Sequence, residues 1–270
     1  MNEKVTAANP NLLNQLAEQA MAEGKPQETI VSEITYPSDS LVLLPGGYIN
    51  DSGEVIKTAE VRELTGKDEE YMGKSSTLAK AFSGLLERAV VSIGDMPLEE
   101  GMIDRLLVGD RDALLLGIYK VTFGNEAEIE GFCNGCSEYK MVQINIDEDI
   151  EIKTLKNPID DRKFTVKGKK NTYLVALPDG TTQKHLVNNS DKSVAELTTL
   201  LLEQTVLEIN DNPVLSKVQA QNINLADRRK IGEELSKRAP GPVFNNIEVD
   251  CPDCEGKVVV PVNIGTLFRF

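Results

Sequence analysis

Residues 126–146 read Glu-Ala-Glu-Ile-Glu-Gly-Phe-Cys133-Asn-Gly-Cys136-Ser-Glu-Tyr-Lys-Met-Val-Gln-Ile-Asn-Ile146, and residues 246–264 read Asn-Ile-Glu-Val-Asp-Cys251-Pro-Asp-Cys254-Glu-Gly-Lys-Val-Val-Val-Pro-Val-Asn-Ile264. The two stretches share a grammar. An Ile-Glu pair (Ile129-Glu130, Ile247-Glu248) ends three residues before the first cysteine, and a Val-x-[Ile/Val]-Asn-Ile run begins six residues after the second. Each copy predicts a strand, a tight Cys-x-x-Cys turn and a returning strand.

Two thiolates spaced by two residues supply half of a tetrahedral metal site. A closed structural zinc site takes four ligands. The chain has 4 cysteines, and Cys133, Cys136, Cys251 and Cys254 all lie in the knuckles. The reading is a zinc ribbon shared by the two copies, with one structural Zn2+ per chain. From Cys136 to Cys251 is 115 residues, far more than in a compact ribbon. The two halves must therefore fold back on each other, and a pseudo-twofold pair of modules would do this. A thioredoxin-type site needs one Cys-x-x-Cys opening a helix, whereas both of these lie between strand-like runs. Local disulfides, an iron–sulfur cluster or a redox role, the last as in a redox or metal-dependent enzyme, are the remaining uses.

The chain has 270 residues, 40% hydrophobic and 27% charged, which is ordinary for a globular protein with a real core. No apolar run reaches the length of a membrane span, and the first residues lack the basic-then-apolar form of a signal peptide. The expectation is a protein made in the cytoplasm, with no membrane partner. The formal charge is −14; four thiolates and one dication would bring it to about −16. Phosphate backbones repel such a chain, so no nucleic-acid partner is expected, although a zinc-ribbon nucleic-acid-binding regulator remains a rival. Lys167-Gly-Lys-Lys170 and Arg228-Arg-Lys230 are short basic clusters, read as a loop and a helix face.

Taken in order, residues 1–40 form an N-terminal arm, with Leu12, Leu13, Leu16 and Ala20 on one face of a short helix. Module 1 spans 41–146. Leu41 to Gly47 predicts a strand ending in a Pro-Gly hairpin turn, and Val55 to Leu64 a second strand. Thr65 and Asp68 form a capping-box pair. Leu78, Phe82, Leu85, Leu86 and Ala89 stripe a helix, and a second helix is expected from Asp112 to about Phe123, with Asp110 in its cap. A connector covers 147–170, with a strand near Phe164-Thr-Val166. Module 2, residues 171–270, repeats the first: Leu177-Pro-Asp-Gly180 is matched to Leu44-Pro-Gly-Gly47, and Gln183 to Val187 to the second strand. Pro97 and Pro213 are 116 residues apart, Asp110-Arg111 and Asp227-Arg228 are 117 apart, and the cysteines are 118 apart. Landmarks that keep their order with so little drift mark an internal duplication. The fold class is α+β: two tandem related modules, each with a hairpin, helices and a knuckle, joined by the shared zinc ribbon.

Nothing in the pattern reads as catalytic. Asp110-Arg111 and Asp227-Arg228 are read as helix caps with an arginine reaching a carboxylate or carbonyl. His185 is the only histidine, and its alternating context predicts a strand. The acidic groups at Asp95, Glu99 and Glu100 and at 147–151 lack calcium-loop spacing. Gly46-Gly47 is not followed by Lys-Ser/Thr, so no phosphate loop is present. The terminal Leu267-Phe-Arg-Phe270 is expected to pack in the core near the second knuckle.

Leu-Pro-x-Gly with a hairpin, the Leu-rich helix, Val108-Gly-Asp-Arg-Asp-Ala-Leu-Leu115 and Ile-Glu-x-x-Cys-x-x-Cys with its alternating strand resemble the baseplate, or baseplate hub assembly, proteins of contractile-tailed bacteriophages of the myovirus type. The resemblance is clearest over 41–146, and the second copy extends it to the C-terminus. Ser137 and Glu255 stand where zinc knuckles often carry glycine. The resemblance implies a non-enzymatic role in building the tail hub through contacts with other tail or hub proteins. The protein would act either as a virion component or as a tail assembly chaperone for the tape-measure protein. It implies the host cytoplasm during assembly, the tail or baseplate of the virion thereafter, and an oligomeric setting.

Overall fold

A computed structural model describes residues 40–269; the expected arm helix and Phe270 lie outside them. The first half contains β1 (Leu41–Ile49), β2 (Val55–Val61), α1 (Gly66–Lys74), α2 (Leu78–Ala89), β3 (Val90–Ile93), β4 (Met96–Pro97), α3 (Met102–Arg105), α4 (Val108–Phe123), β5 (Glu126–Cys133), β6 (Glu138–Asn145) and α5 (Ile146–Asp149). After β7 (Ile152–Lys153) come β8 (Lys163–Lys167), β9 (Thr172–Ala176), α6 (Gly180–Val187), α7 (Val194–Thr205), β10 (Val206–Ile209), β11 (Asn212–Pro213), α8 (Lys217–Gln221), α9 (Leu225–Arg238), β12 (Gly241–Pro242), β13 (Asn246–Asp250), β14 (Lys257–Pro261) and α10 (Ile264–Leu267). All strand pairs are antiparallel. One sheet runs β1-β2-β3-β4, another β8-β9-β10-β11, and the knuckle hairpins join as β13-β14-β5-β6, while β12 pairs with β7. The fold is mixed α and β, as expected.

Local chemistry explains most boundaries. Asp68 closes a capping box with Thr65 at the head of α1, and its buried carboxylate also takes two bonds from Arg62, at 2.8 and 3.0 Å, and one from Arg88 at 3.0 Å. α4 buries ten of its residues on all sides, which makes it the central helix of the first half. It opens at Val108 rather than Asp112, so Asp110 is its third residue and not its cap.

Two further expectations fail. β1 does not turn at Pro45-Gly46-Gly47 but runs through it to Ile49, with a register shift between Leu43 and Tyr48. The turn falls at 50–54, where Asn50 Oδ1 accepts from the Ser52 and Glu54 N–H groups at 3.0 and 2.9 Å. Gln183–Val187, His185 included, is helix and not strand. Asp179 caps it by accepting from Thr182 N–H at 2.8 Å, and Leu177-Pro178-Asp179-Gly180 is thus a helix entry rather than a hairpin turn.

Two cores result. The first combines α2, α4 and β1–β3 with Val258, Val260, Ile264 and Phe268 from the far end of the chain. Phe268 packs against Phe82 and Tyr119 with ring centroids 5.5 Å apart in each pair, so this part of the C-terminal aromatic end is core. The second core lies under β8–β10, α7 and α9, and Leu107 enters it from the first half.

The two Asp-Arg doublets bind alike. Asp110 accepts from the Gly46 N–H of β1 at 2.6 Å, and Asp227 from the Lys169 N–H between β8 and β9 at 2.8 Å. Arg111 donates to the Ile103 carbonyl at 3.0 Å and to Ser83 Oγ at 3.2 Å; Arg228 donates to the Ala220 carbonyl at 3.3 Å and to Thr199 Oγ1 at 2.9 Å. Each aspartate fixes a helix to a hairpin, and each arginine ties the same helix to two others. The arginines reach carbonyls, as expected, but Asp227, like Asp110, is the third residue of its helix and not its cap, which is Asn224.

Candidate metal centre

β5 and β6 pair in register from Glu126↔Asn145 to Cys133↔Glu138, and β13 and β14 from Asn246↔Pro261 to Asp250↔Lys257. Each hairpin places its Cys-x-x-Cys turn at the tip. β14 then pairs with β5, Val258 opposite Cys133 and Val259 opposite Phe132. This pairing brings the two tips together. The second strand of one hairpin meets the first strand of the other, so the sheet does not have the strand order of a twofold pair.

The four sulfurs lie within 4.8 Å of one another. Cys133 Sγ stands 3.5 Å from Cys254 Sγ, and Cys136 Sγ 3.9 Å from Cys251 Sγ. A disulfide needs about 2.05 Å, so these are free thiols. Four sulfurs each about 2.3 Å from a tetrahedral zinc stand about 3.8 Å apart, and the two separations bracket that value. Among the described residues this is the one group of three or more Cys, His, Asp or Glu side chains able to hold a metal ion. Cys133 and Cys251 are buried, Cys136 and Cys254 half-buried.

The electrostatics suit a cation. The Cys136 and Gly135 N–H groups point at Cys133 and hold its thiol down at about 6. Burial, together with the sulfurs around it, pushes Cys136 up to about 12. The Cys133 thiolate forms readily, whereas the Cys136 and Cys254 thiols resist ionisation while the negative charge is uncompensated. A dication at the centre removes that resistance, so the donor set fits a thiophilic metal. The Gly256 N–H donates to Cys254 Sγ at 3.3 Å, and Lys140 of β6 reaches Asp253 of the opposite knuckle at 2.7 Å.

The two glycines of the tips are there because the turns touch. A Cβ on Gly135 would stand 2.9 Å from Cys254 Sγ, and one on Gly256 3.0 Å from the Gly135 Cα. Ser137, in the place of the usual knuckle glycine, takes a left-handed φ of 59°. The Lys140–Asp253 tie was not foreseen. Its sequence signal, a lysine on an alternating strand, does not distinguish it from a solvated one. His185 sits exposed on α6 and takes no part in the sulfur cluster.

Residues 49–269 match a family model described as T4 bacteriophage base plate protein. The chain belongs to this family. No curated protein and no solved structure matches it. The baseplate family match covers both knuckles and both Asp-Arg doublets, so the four-sulfur cluster lies wholly within the matched region. A structural role in the phage tail, in contact with other phage structural proteins, follows from the family. No described helix is long and apolar enough to cross a membrane.

Proposed function

We propose that the protein is a non-enzymatic component of the baseplate hub, built from two duplicated modules that one zinc ion staples together. The observation that carries this reading is the convergence of four sulfurs, two from each half, at tetrahedral spacing. The equivalent element order of the halves and the matching bonds of Asp110-Arg111 and Asp227-Arg228 support the duplication. Matching Gly180 at the head of α6 to Gly66 at the head of α1 gives a spacing of 114 residues, close to the 116, 117 and 118 of the prolines, doublets and cysteines, whereas a match to Gly47 spans 133.

A zinc held by four thiolates is coordinatively closed and serves to hold the fold. The work is then done by surfaces. On the knuckle sheet Phe132 and Tyr139 stack edge-to-face across β5 and β6, centroids 5.2 Å apart. They are exposed together with Met141 and give an apolar patch of the kind that binds other proteins.

The test is quantitative mass spectrometry of gradient-purified virions, tails and assembly intermediates. A hub component is retained in the finished tail at a fixed ratio to the other baseplate proteins. Presence in intermediates alone would contradict the reading and favour an assembly chaperone.

A further inference from the structure

Within the chain, the head of α6 is seated on the junction of α3 and α4. The Gly180 N–H donates to the Leu106 carbonyl at 2.8 Å, and the Val108 N–H to the Pro178 carbonyl at 3.1 Å. Lys184 reaches Asp104 at 2.8 Å, and Arg111 Nε donates to Gln183 Oε1 at 2.7 Å. The approach is so close that a Cβ on Gly180 would lie 2.7 Å from the Ile103 carbonyl oxygen and 2.8 Å from the Asp104 Cα. Glycine is required there by contact.

This contact is heterologous. The second half presents the head of its α6, and the first half presents its α3–α4 junction. A heterologous contact between like units leaves one copy of each surface unused, at opposite ends of the pair. Neither of these two surfaces is covered by another described residue of the chain. The head of α1, the counterpart of α6, is exposed. Gly66 occupies the place of Gly180, yet nothing stands within 4 Å of a Cβ built on it, and its φ is not left-handed. Nothing inside the described chain calls for glycine at this position. At the other end, the α8–α9 junction is the counterpart of α3–α4. Leu225 is 84% exposed, Leu215 84% and Val218 60%, whereas Val108, the counterpart of Leu225, is half-covered. Arg228 binds through its terminal nitrogens to Ala195, Thr199 and Ala220, while Arg111, fully buried, adds the Nε bond to Gln183.

We propose that the head of α1 of one copy docks on the α8–α9 junction of a second copy, repeating between chains the contact that α6 makes within the chain. Glu69 then takes the place of Gln183 and faces Arg228, which makes the bond charge-assisted. The charges of the two elements are also complementary: α1 carries the exposed Glu70, and α8 and α9 carry the exposed Lys217 and Arg229. The knuckles are closed on each other and take no part. Because the contact is head-to-tail, it grows into a ring or an open chain rather than stopping at a dimer. The proposal rests on the equivalence of the two halves and is independent of the metal. A chain without zinc could pass this test, and a zinc-loaded one could fail it.

The test is sedimentation velocity of the full chain from about 1 to 100 µM, the range in which contacts of transient strength are populated, with Gly66→Gln and Leu225→Asp as variants. Both sites are exposed, so each variant should keep the melting temperature of the wild type. Wild type is expected to increase in mass with concentration, and each variant alone to lose association roughly tenfold or more. An equimolar mixture is expected to form a discrete dimer, because one partner keeps the α1 head and the other keeps the α8–α9 face. A wild type that stays monomeric throughout, variants that associate like the wild type, or a mixture that stays monomeric would each overturn the proposal.

Discussion

Asp110 and Asp227 hold the same place at the third residue of α4 and α9, yet their surroundings pull them in opposite directions. Asp227 accepts from Lys169, Tyr173 and Asn224; although burial opposes it, these bonds leave its carboxyl below the usual range. Asp110 has the Gly46 N–H on Oδ1, but its Oδ2 is buried with no hydrogen-bond partner among the described residues. Burial pushes its carboxyl up to about 6 against the opposing pull of Gly46 and Arg162. A carboxyl raised in the folded state binds its proton more tightly there than in the unfolded chain. Its contribution is therefore fully present below about pH 3.8 and is lost as pH rises through about 6, an effect of at most about 3 kcal/mol. Asp110→Asn keeps an acceptor for Gly46 and cannot ionise. In urea melts of wild type and variant across that window, the difference should move in the variant's favour as pH rises; a difference flat with pH would refute the account of Asp110. At the other doublet, Tyr173→Phe leaves the Tyr173 cavity filled but takes the phenolic O–H from Asp227 Oδ2 at 2.8 Å. It should cost about 1.5–3 kcal/mol at neutral pH by denaturant titration. The doublets could be recognised in the sequence as helix-entry motifs. Their acceptors could not, because Gly46 is 64 residues from Asp110 and Lys169 is 58 from Asp227.

At the scale of elements, the same distance effect explains which readings held. The knuckle hairpins, α1 and α2 carry their own instructions: alternation, a capping box, an apolar stripe. They formed where the residues say. The path of β1 through Pro45-Gly46-Gly47 is set by remote partners. Leu155 donates to the Pro45 carbonyl, and Arg162 donates to the Gly46 and Gly47 carbonyls, so a local turn signal lost to tertiary bonds. α6 is only eight residues long, and Gln183–Val187 shows too short a window to separate a period of 2 from one of 3.6. The close seating of helices on backbone also yields a sharp contrast. A Cβ on Gly109 in α4 would stand 1.7 Å from the Pro240 carbonyl oxygen, while one on Gly232 in α9 meets nothing within 4 Å. Gly109→Ala must move backbone and should cost roughly 3 kcal/mol or more. Gly232→Ala, in a helix interior with free space, should stabilise by about 0.5–1 kcal/mol. Thermal denaturation of the pair reads both signs, and a tolerated Gly109→Ala would mean that β12 does not press on α4.

For the whole molecule, the near-constant spacing of the prolines, Asp-Arg doublets and cysteines is the sequence basis for the proposal of two like halves. The spacing says nothing of how like halves meet, and the strand order β13-β14-β5-β6 is head-to-tail rather than twofold. That order ties the four-sulfur cluster to global stability, because β14 and the residues after it complete the core of the first half through Val258, Val260, Ile264 and Phe268. Losing the metal should therefore loosen more than the knuckles. Under reducing conditions a strong chelator should lower the melting temperature and expose amide hydrogens of β5, β14 and α10 to exchange, while those of β8–β10 stay protected. Uniform protection with and without chelator would separate the fold from the metal. The central claim is a single ion shared by both halves, and native mass spectrometry of the reduced full chain tests it most directly, with Cys251→Ser/Cys254→Ser alongside. The account predicts one zinc per wild-type chain and none in the double variant. No zinc in the wild type, two per chain, or one that survives loss of the second knuckle would contradict it.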